Sequence, residues 1–341
     1  MIHKIITKNE EETTVKKNLV MALAALIVSV FCIPAFAAPE YVIKVGSIVS
    51  DTHADMLSMK KVFVPAVEKG SKGKIKVELY PNAQLGGDRE LCEGVQMGTI
   101  QMALPASSAM AGFDKRIQVL DLPYLFTSRK TAFEALDGVL GKKLNEYMLA
   151  KGFMNLGYQE NGMRHVTNSK RPIKTPADLK GLKIRTMENP MHIAYFKELG
   201  ANPTPMSWGE LYTALQQGTV DAEENPYAMI SDGKFYEVQK YVSETGHVFS
   251  VTVLIANKKF MEKLPADLRE LVIKAAKDFQ NEQRKTIAGL ETQFKKEVTK
   301  AGMKANELKD EQKKPFVAAT KVVYAKFEKD LGKEIMEKKK K

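Results

Sequence analysis

The apolar and polar positions of this chain follow two periods that alternate along its length. Residues 74–80 place apolar side chains at every second position, the repeat of a half-buried strand, and residues 41–48 and 100–104 are shorter strand-like runs. Between them, residues 55–69 and a segment ending at Met97 carry the three-to-four spacing of amphipathic helices. The resulting β-α-β-α-β order predicts an α/β sheet. A helical pattern over 129–151, interrupted by the glycines at 138 and 141, leads to a strand at 153–158. Residues 182–185 read as another strand, after which Asn189-Pro190 opens a helix that Leu199-Gly200 closes. After the apolar run 252–257 the character changes. Pro265 opens a long helical pattern in which Leu268, Leu271, Val272, Ala275, Phe279, Ile287, Leu290, Phe294 and Val298 keep mostly three-to-four spacing. This is either two helices or one that bridges two bodies. Residues 309–341 read as a final helix with a basic tail.

One unit is written twice. Glu90-Leu91-Cys92-Glu93-Gly94-Val95-Gln96-Met97-Gly98-Thr99-Ile100 and Glu210-Leu211-Tyr212-Thr213-Ala214-Leu215-Gln216-Gln217-Gly218-Thr219-Val220 share Glu-Leu, an apolar residue five places after the Glu, and then Gln-x-Gly-Thr with a β-branched residue. Each predicts a helix closed by a C-terminal glycine and followed at once by a strand. With about 300 residues after the leader, a length that exceeds one typical domain, the repeat predicts two lobes. No Pro/Ser-rich linker separates them.

The ends narrow the setting. Lys16-Lys17, an apolar run over 19–33 and the small residues Ala35 and Ala37 form a secretory signal with an expected mature start at Ala38. Export to the periplasm is therefore expected. The net charge is +11, of which the leader's four lysines and three acids account for +1. That excess is read as solvated lysines on helix faces and at 338–341, since no nucleic-acid motif accompanies it. Cys92 is the single cysteine left after the leader, so stability must come from a packed core rather than a disulfide.

Catalytic signatures are missing. The sequence has no Gly-x-Ser-x-Gly, no Walker loop, no Gly-x-Gly-x-x-Gly and no His-Glu-x-x-His. His53, His165, His192 and His247 show no ligand spacing and are read as structural or cleft-lining residues. No cofactor and no metal site is assigned. The acids Asp221, Glu223 and Glu224 are read as bracing a loop.

Chemistry concentrates instead around Arg185. It ends a predicted strand, the edge of an open α/β sheet where ligands bind, and its guanidinium offers a planar fork of donors that matches a carboxylate. Around it stand Arg164-His165-Val166-Thr167-Asn168-Ser169, Pro176-Ala177-Asp178-Leu179-Lys180-Gly181-Leu182-Lys183-Ile184-Arg185, Leu199-Gly200-Ala201-Asn202-Pro203-Thr204-Pro205-Met206, and Ala214-Leu215-Gln216-Gln217-Gly218-Thr219-Val220-Asp221 leading to Glu224-Asn225-Pro226. Taken together these words resemble the solute-binding proteins of TRAP (tripartite ATP-independent periplasmic) transporters, and the similarity extends over nearly all the chain after about residue 40.

The resemblance implies a two-lobed periplasmic binding protein fold with a ligand cleft between the lobes and a long helix near the C-terminus bridging them. The expected division is signal peptide 1–37, first lobe 38–162 and 251–290, second lobe 163–250 and 291–335, and basic tail 336–341. It implies a receptor, not an enzyme, that captures a small organic acid, a C4-dicarboxylate or compact sugar acid, and delivers it to TRAP membrane permease subunits as a monomer without nucleic-acid partners. By resemblance Arg185 pairs bidentately with the ligand carboxylate, Arg164 adds a second cationic contact and Asn225 clamps the same group. Trp208 walls the ligand, His247 lies near the cleft, and Asp88 approaches from the first lobe. Some members of that family hold a metal beside the substrate carboxylate. Here Ala222 and Glu223 stand where Gly and Gln are common, and Ala106 and Ala109 stand where binders of long sugar acids carry Glu and Arg, which implies a shorter or less polar ligand. A sensory binding protein and an exported enzyme acting on acids are the alternative readings.

Overall fold

The computed structural model describes Lys17 and residues 38–332, so the rest of the expected leader and the basic tail lie outside the described residues. Two sheets organise residues 39–332. The first has five strands in the order β2-β1-β3-β10-β4, with β1 at Tyr41–Gly46, β2 at Ile75–Tyr80, β3 at Met102–Ala103, β4 at Phe153–Met163 and β10 at Phe249–Asn257. The second has six in the order β11-β9-β5-β8-β6-β7, with β5 at His165–Asn168, β6 at Lys183–Thr186, β7 at Asn202–Pro205, β8 at Ala222–Asn225, β9 at Tyr241–Glu244 and β11 at Lys304–Glu307. This is the mixed α/β architecture expected from the alternating periods, in the two lobes expected from the duplicated unit.

The duplicated sequence unit has a structural counterpart. In the first sheet β1 pairs in parallel with both β2 and β3. In the second, β6 pairs in parallel with both β7 and β8. Helix α3 (Asp88–Met97) leads into β3, and α7 (Trp208–Gln216) leads toward β8. Each ends at a left-handed glycine, Gly98 at φ +86° and Gly218 at φ +70°, because a residue with a Cβ is strained in that turn. Helix α3 lies flush on β1: a Cβ on Gly46 would stand 2.4 Å from a Leu91 methyl.

Some expected elements change at their ends. The helix over 55–69 is α1 (Ala54–Ser58), a π-helical turn at Met59–Phe63 and α2 (Val64–Gly70). The pattern over 129–151 divides at Gly138 into α4 (Arg129–Asp137) and α5 (Val139–Ala150). The strand expected over 100–104 shrinks to two residues. After β6 comes α6 (Pro190–Glu198), whose cap Asn189 accepts from Met191 N–H at 2.9 Å and His192 N–H at 3.3 Å. Helix α8 (Tyr227–Asp232) follows β8, and α9 (Lys258–Lys263) follows β10.

The long C-terminal pattern is one helix, α10, of 35 residues (Ala266–Lys300). It packs against β4, α1 and α8. Its glutamines close the open edge of β4: Tyr158 N–H donates to Gln280 Oε1 at 3.0 Å, Glu160 N–H to Gln283 Oε1 at 3.0 Å, and Gln283 Nε2 to the Glu160 carbonyl at 2.8 Å. The final helix α11 (Asp310–Leu331) packs on α6. Among the described residues no helix is long and apolar enough to cross a membrane.

Candidate functional site

The carboxyl ends of β1, β6 and β8 and the loops after them converge on one cavity. Ile48 and Ala106 come from the first sheet's loops, Asp88 from the first turn of α3, Asn161 from β4, and Arg164 from the single residue between β4 and β5. Arg185, Met187, Trp208, Asn225 and Met229 come from the second sheet and its helices. This inner space has a volume of about 20 Å³. An outer cavity of about 230 Å³ shares Asp88, Arg185, Met187 and Trp208 with it and adds Ser108, Ala109, Phe113, Glu188 and Met206, among others.

Arg185 is 4 % exposed, and the only hydrogen bond recorded for its guanidinium among the described residues runs from Nε to the Met206 carbonyl at 3.0 Å. No carboxylate of the described residues pairs with it. Burial lowers its pKa, with Glu224 opposing and Arg164 reinforcing that shift. Taking such a cation out of water costs several kcal/mol unless an anion compensates it.

Arg164 is the opposite case. It is 1 % exposed and closely paired with Glu224, whose carboxylate accepts from Nε and, at 2.9 Å, from Nη2. Glu224 also faces His192 Nδ1 at 3.3 Å and His247 Nε2 at 3.0 Å. Burial works against the Glu224 charge, yet Arg164 and His192 hold its carboxyl well below the ordinary range. The chain of contacts continues to Asp121, which meets His192 Nε2 at 3.2 Å and accepts from Asn189 Nδ2 at 2.9 Å and from the Ser108 hydroxyl.

Both nitrogens of His192 thus face carboxylate oxygens. A neutral imidazole carries only one N–H, so this geometry calls for the imidazolium. Burial opposes that charge, but Glu224 and Asp121 raise its pKa from 6.5 to about 9. A group whose pKa is raised on folding stabilises fully below its unfolded value and loses that contribution as pH rises through the folded one. Melting temperature is therefore expected to fall between about pH 6.5 and pH 9, and His192→Gln to flatten that slope; equal slopes in melts of both proteins across this range would contradict it.

The remaining expected residues divide. Asp88 and Trp208 line both cavities, and Asn225 lines the inner one. Withdrawal from water raises the Asp88 carboxyl to about 7, while a bond from Ala106 N–H and the charges of Arg185 and Arg164 act against the rise. His247 is not on either cavity wall. It is 1 % exposed in the turn before β10, accepts or donates at Thr245 Oγ1 (2.8 Å) and Glu224, and stacks on Tyr195. Glu224 stands between it and Arg164, which lines the inner cavity. The other histidines are structural: His165 is held neutral by burial, its pKa lowered to about 3, and His53 caps α1. Ala106 lines the inner space and Ala109 the outer one, so methyl groups do face the cavities.

Sequence reasoning missed Asn161, Asp121 and His192's partners. The signal for Asn161 was present: Gln159-Glu160-Asn161 interrupts a strand with three consecutive polar side chains, all of them buried. Asp121 carries no such mark. Among the described residues no group of three or more His, Cys, Asp or Glu side chains is placed to hold a metal ion, and the acidic segment instead makes hydrogen bonds. Asp221 accepts from Lys183 N–H at 3.1 Å, and Glu223 is hydrogen-bonded to Thr167 Oγ1 at 2.6 Å.

The chain has relatives of known description. It is 40 % identical over 246 residues, 72 % of this chain and 75 % of the other, to the 2,3-diketo-L-gulonate-binding periplasmic protein YiaO of Escherichia coli. Its fold is similar to a TRAP periplasmic solute-binding protein from Polaromonas sp. JS666 bound to D-erythronate, with TM-score 0.84, 38 % identity and coverage of 88 % of this chain and 98 % of that one. It is similar also to the sugar acid binding protein DctPAm from Advenella mimigardefordensis in complex with galactonate, with TM-score 0.85, 33 % identity and coverage of 89 % and 99 %. The profile of the bacterial extracellular solute-binding proteins of family 7 matches residues 45–330. With that match spanning almost every element that builds the two sheets and the cavity between them, the chain belongs to family 7 of the bacterial extracellular solute-binding proteins, the solute-binding components of TRAP transporters.

Proposed function

We propose that this protein captures a compact hydroxylated or dicarboxylic acid in the periplasm and delivers it to a TRAP permease. The observation that carries the reading is Arg185: a buried guanidinium at a strand's carboxyl end, with no carboxylate partner among the described residues, beside an arginine already neutralised by Glu224. A ligand carboxylate supplies the missing anion and takes the two-donor fork. Arg164 and Asn225 add polar contacts, and Trp208, Met187 and Met229 shield the pair from water, which strengthens it. Asp88 and Asn161 face the part of the cavity where an acid's hydroxyls would lie. Nothing in this set pairs a nucleophile with a base, and the protein acts by binding alone.

The mechanism is closure of two lobes, divided at 162/163, 250/251 and 290/291, around the acid. A space of about 20 Å³ holds little more than one water, so an organic acid enters only when the walls part. The acid then favours the closed arrangement by touching both sides. The closed monomer is the form that docks on the permease.

Ligand size tests the reading. Methyl groups at Ala106 and Ala109 offer no partners for distal hydroxyls, so acids of roughly four to six carbons are expected to bind better than nine-carbon sugar acids, which lose about 1–3 kcal/mol for each hydroxyl buried unpaired. D-Erythronate and galactonate, bound by two similar proteins, are the first acids to test. A thermal-shift panel followed by calorimetry decides it, since ligand at 100 times its Kd stabilises the fold by about 2.7 kcal/mol. Tighter binding of the nine-carbon acids would refute the size argument, and no binding of any organic acid would refute the function.

A further inference from the structure

We propose that Glu223 works as a neutral carboxylic acid that aims the Asn225 amide into the cavity, and that its ionisation weakens the binding of anionic ligands. The argument starts from a proton count. Glu223 and Thr167 are opposite one another on β8 and β5, both fully buried. Thr167 Oγ1 stands 2.6 Å from Glu223 Oε1 and 3.2 Å from Gln239 Oε1. The orientation of Gln239 is set by its Nε2, which donates to the Val238 carbonyl at 3.0 Å. The threonine hydroxyl has one proton for two acceptors. Both contacts are satisfied when Thr167 donates to Gln239 and Glu223 brings a proton of its own to Thr167.

The surroundings agree. Glu223 is 0 % exposed and forms no ion pair among the described residues, unlike its neighbour Glu224. Burial raises its carboxyl to about 7, with the hydrogen bonds it shares with Thr167 and Asn225 opposing the shift, Glu224 adding to it and Arg164 opposing it. Arg185, at the end of β6, is the other charge that acts with it.

The consequence reaches the ligand through Asn225. Its Nδ2 donates to Glu223 Oε2 at 2.5 Å, so the amide that lines the inner cavity is oriented by the acid behind it. An –NH₂ group held by one N–H leaves the other to donate toward a ligand carboxylate. When Glu223 loses its proton, a negative charge appears one side chain from the bound anion and the Thr167 contact is reorganised. Glu223 is thus a positioning residue, and this role rests on the carboxylate reading of the cavity given above.

Glu223→Gln is the decisive variant, because a glutamine amide donates to Thr167 and accepts from Asn225 as the protonated acid does. With D-erythronate as probe, the variant is expected to match wild type at pH 6 and to bind roughly tenfold more tightly than wild type at pH 8.5. The ratio of the two affinities isolates Glu223, since the titration of Asp88 is common to both proteins. Glu223→Ala, which leaves Asn225 unsupported, should bind weakly at both pH values. A second measurement needs no ligand. A carboxyl raised on folding costs stability as pH climbs from about 4.5 to about 7, so the melting temperature of Glu223→Gln should gain on wild type by on the order of 5 °C between pH 5 and pH 8. A flat affinity ratio or a flat melting difference overturns the proposal. If neither D-erythronate nor any other acid binds either protein, the cavity reading falls and takes the Asn225 role with it, while the melts still judge the proton on Glu223.

Discussion

Glu224→Gln is expected to lower the unfolding free energy by about 3–5 kcal/mol, the cost of breaking a buried ion pair from one side. The carboxylate of Glu224 is 0 % exposed and receives Arg164 and two histidine nitrogens at once. Glutamine keeps the shape but carries no charge, and its –NH₂ must face a donor wherever it is turned. Arg164 and the His192 imidazolium are then left as buried cations, with Asp121 alone on the far side of the imidazole. Denaturant titration at pH 7 measures the loss. Stability within 1 kcal/mol of wild type would show that the buried pair contributes little to the fold. The variant should also bind acids less well, because Arg164 loses the partner that fixes its position at the cavity wall.

Arg185→Lys is expected to weaken acid binding by about 1.5–3 kcal/mol, roughly ten- to more than a hundredfold, while the ligand-free melting temperature stays near wild type. Lysine retains the charge and loses the planar fork. Stability changes little because Arg185 gives the folded chain one recorded hydrogen bond, to the Met206 carbonyl, and no ion pair among the described residues. Arg164→Lys should show the reverse division, with a milder loss of affinity and a larger loss of stability, since its guanidinium is committed to Glu224. Calorimetry with a binding acid and thermal melts of both apo variants separate the two roles. Near-wild-type affinity in a folded Arg185→Lys protein would refute the bidentate pairing.

These two variants probe residues that differ in how visible they were beforehand. Arg185 was legible because its position follows from local pattern: a short strand, an Asn-Pro helix start, and two glycine-closed helices that follow it. Such signals depend on neighbours within a few residues, where backbone propensity and capping act. The duplicated Gln-x-Gly-Thr segments were legible for the same reason, and the matching order of β2-β1-β3 and β7-β6-β8 shows that both halves use the same local rules. Element ends were less secure. The π-helical turn at Met59–Phe63 and the shrinkage of β3 to two residues depend on what packs over those segments, which no period in the chain records.

By itself, then, the sequence determined the alternation of strands and helices, the two-lobed α/β architecture, the family, and the strand end that carries Arg185. Tertiary structure alone decided which charges are spent and which are free. Arg164 and Arg185 are indistinguishable as arginines at strand ends. One is neutralised by a glutamate 60 positions away and the other, among the described residues, hydrogen-bonds only a backbone carbonyl. The same holds for His192, made an imidazolium by Asp121, 71 positions away, and for Glu223, where a threonine across the sheet and the exclusion of water favour the neutral acid. Protonation and pairing in a low-dielectric interior depend on which groups the fold brings within about 3 Å, and that distance is set by the packing of two sheets rather than by any spacing along the chain.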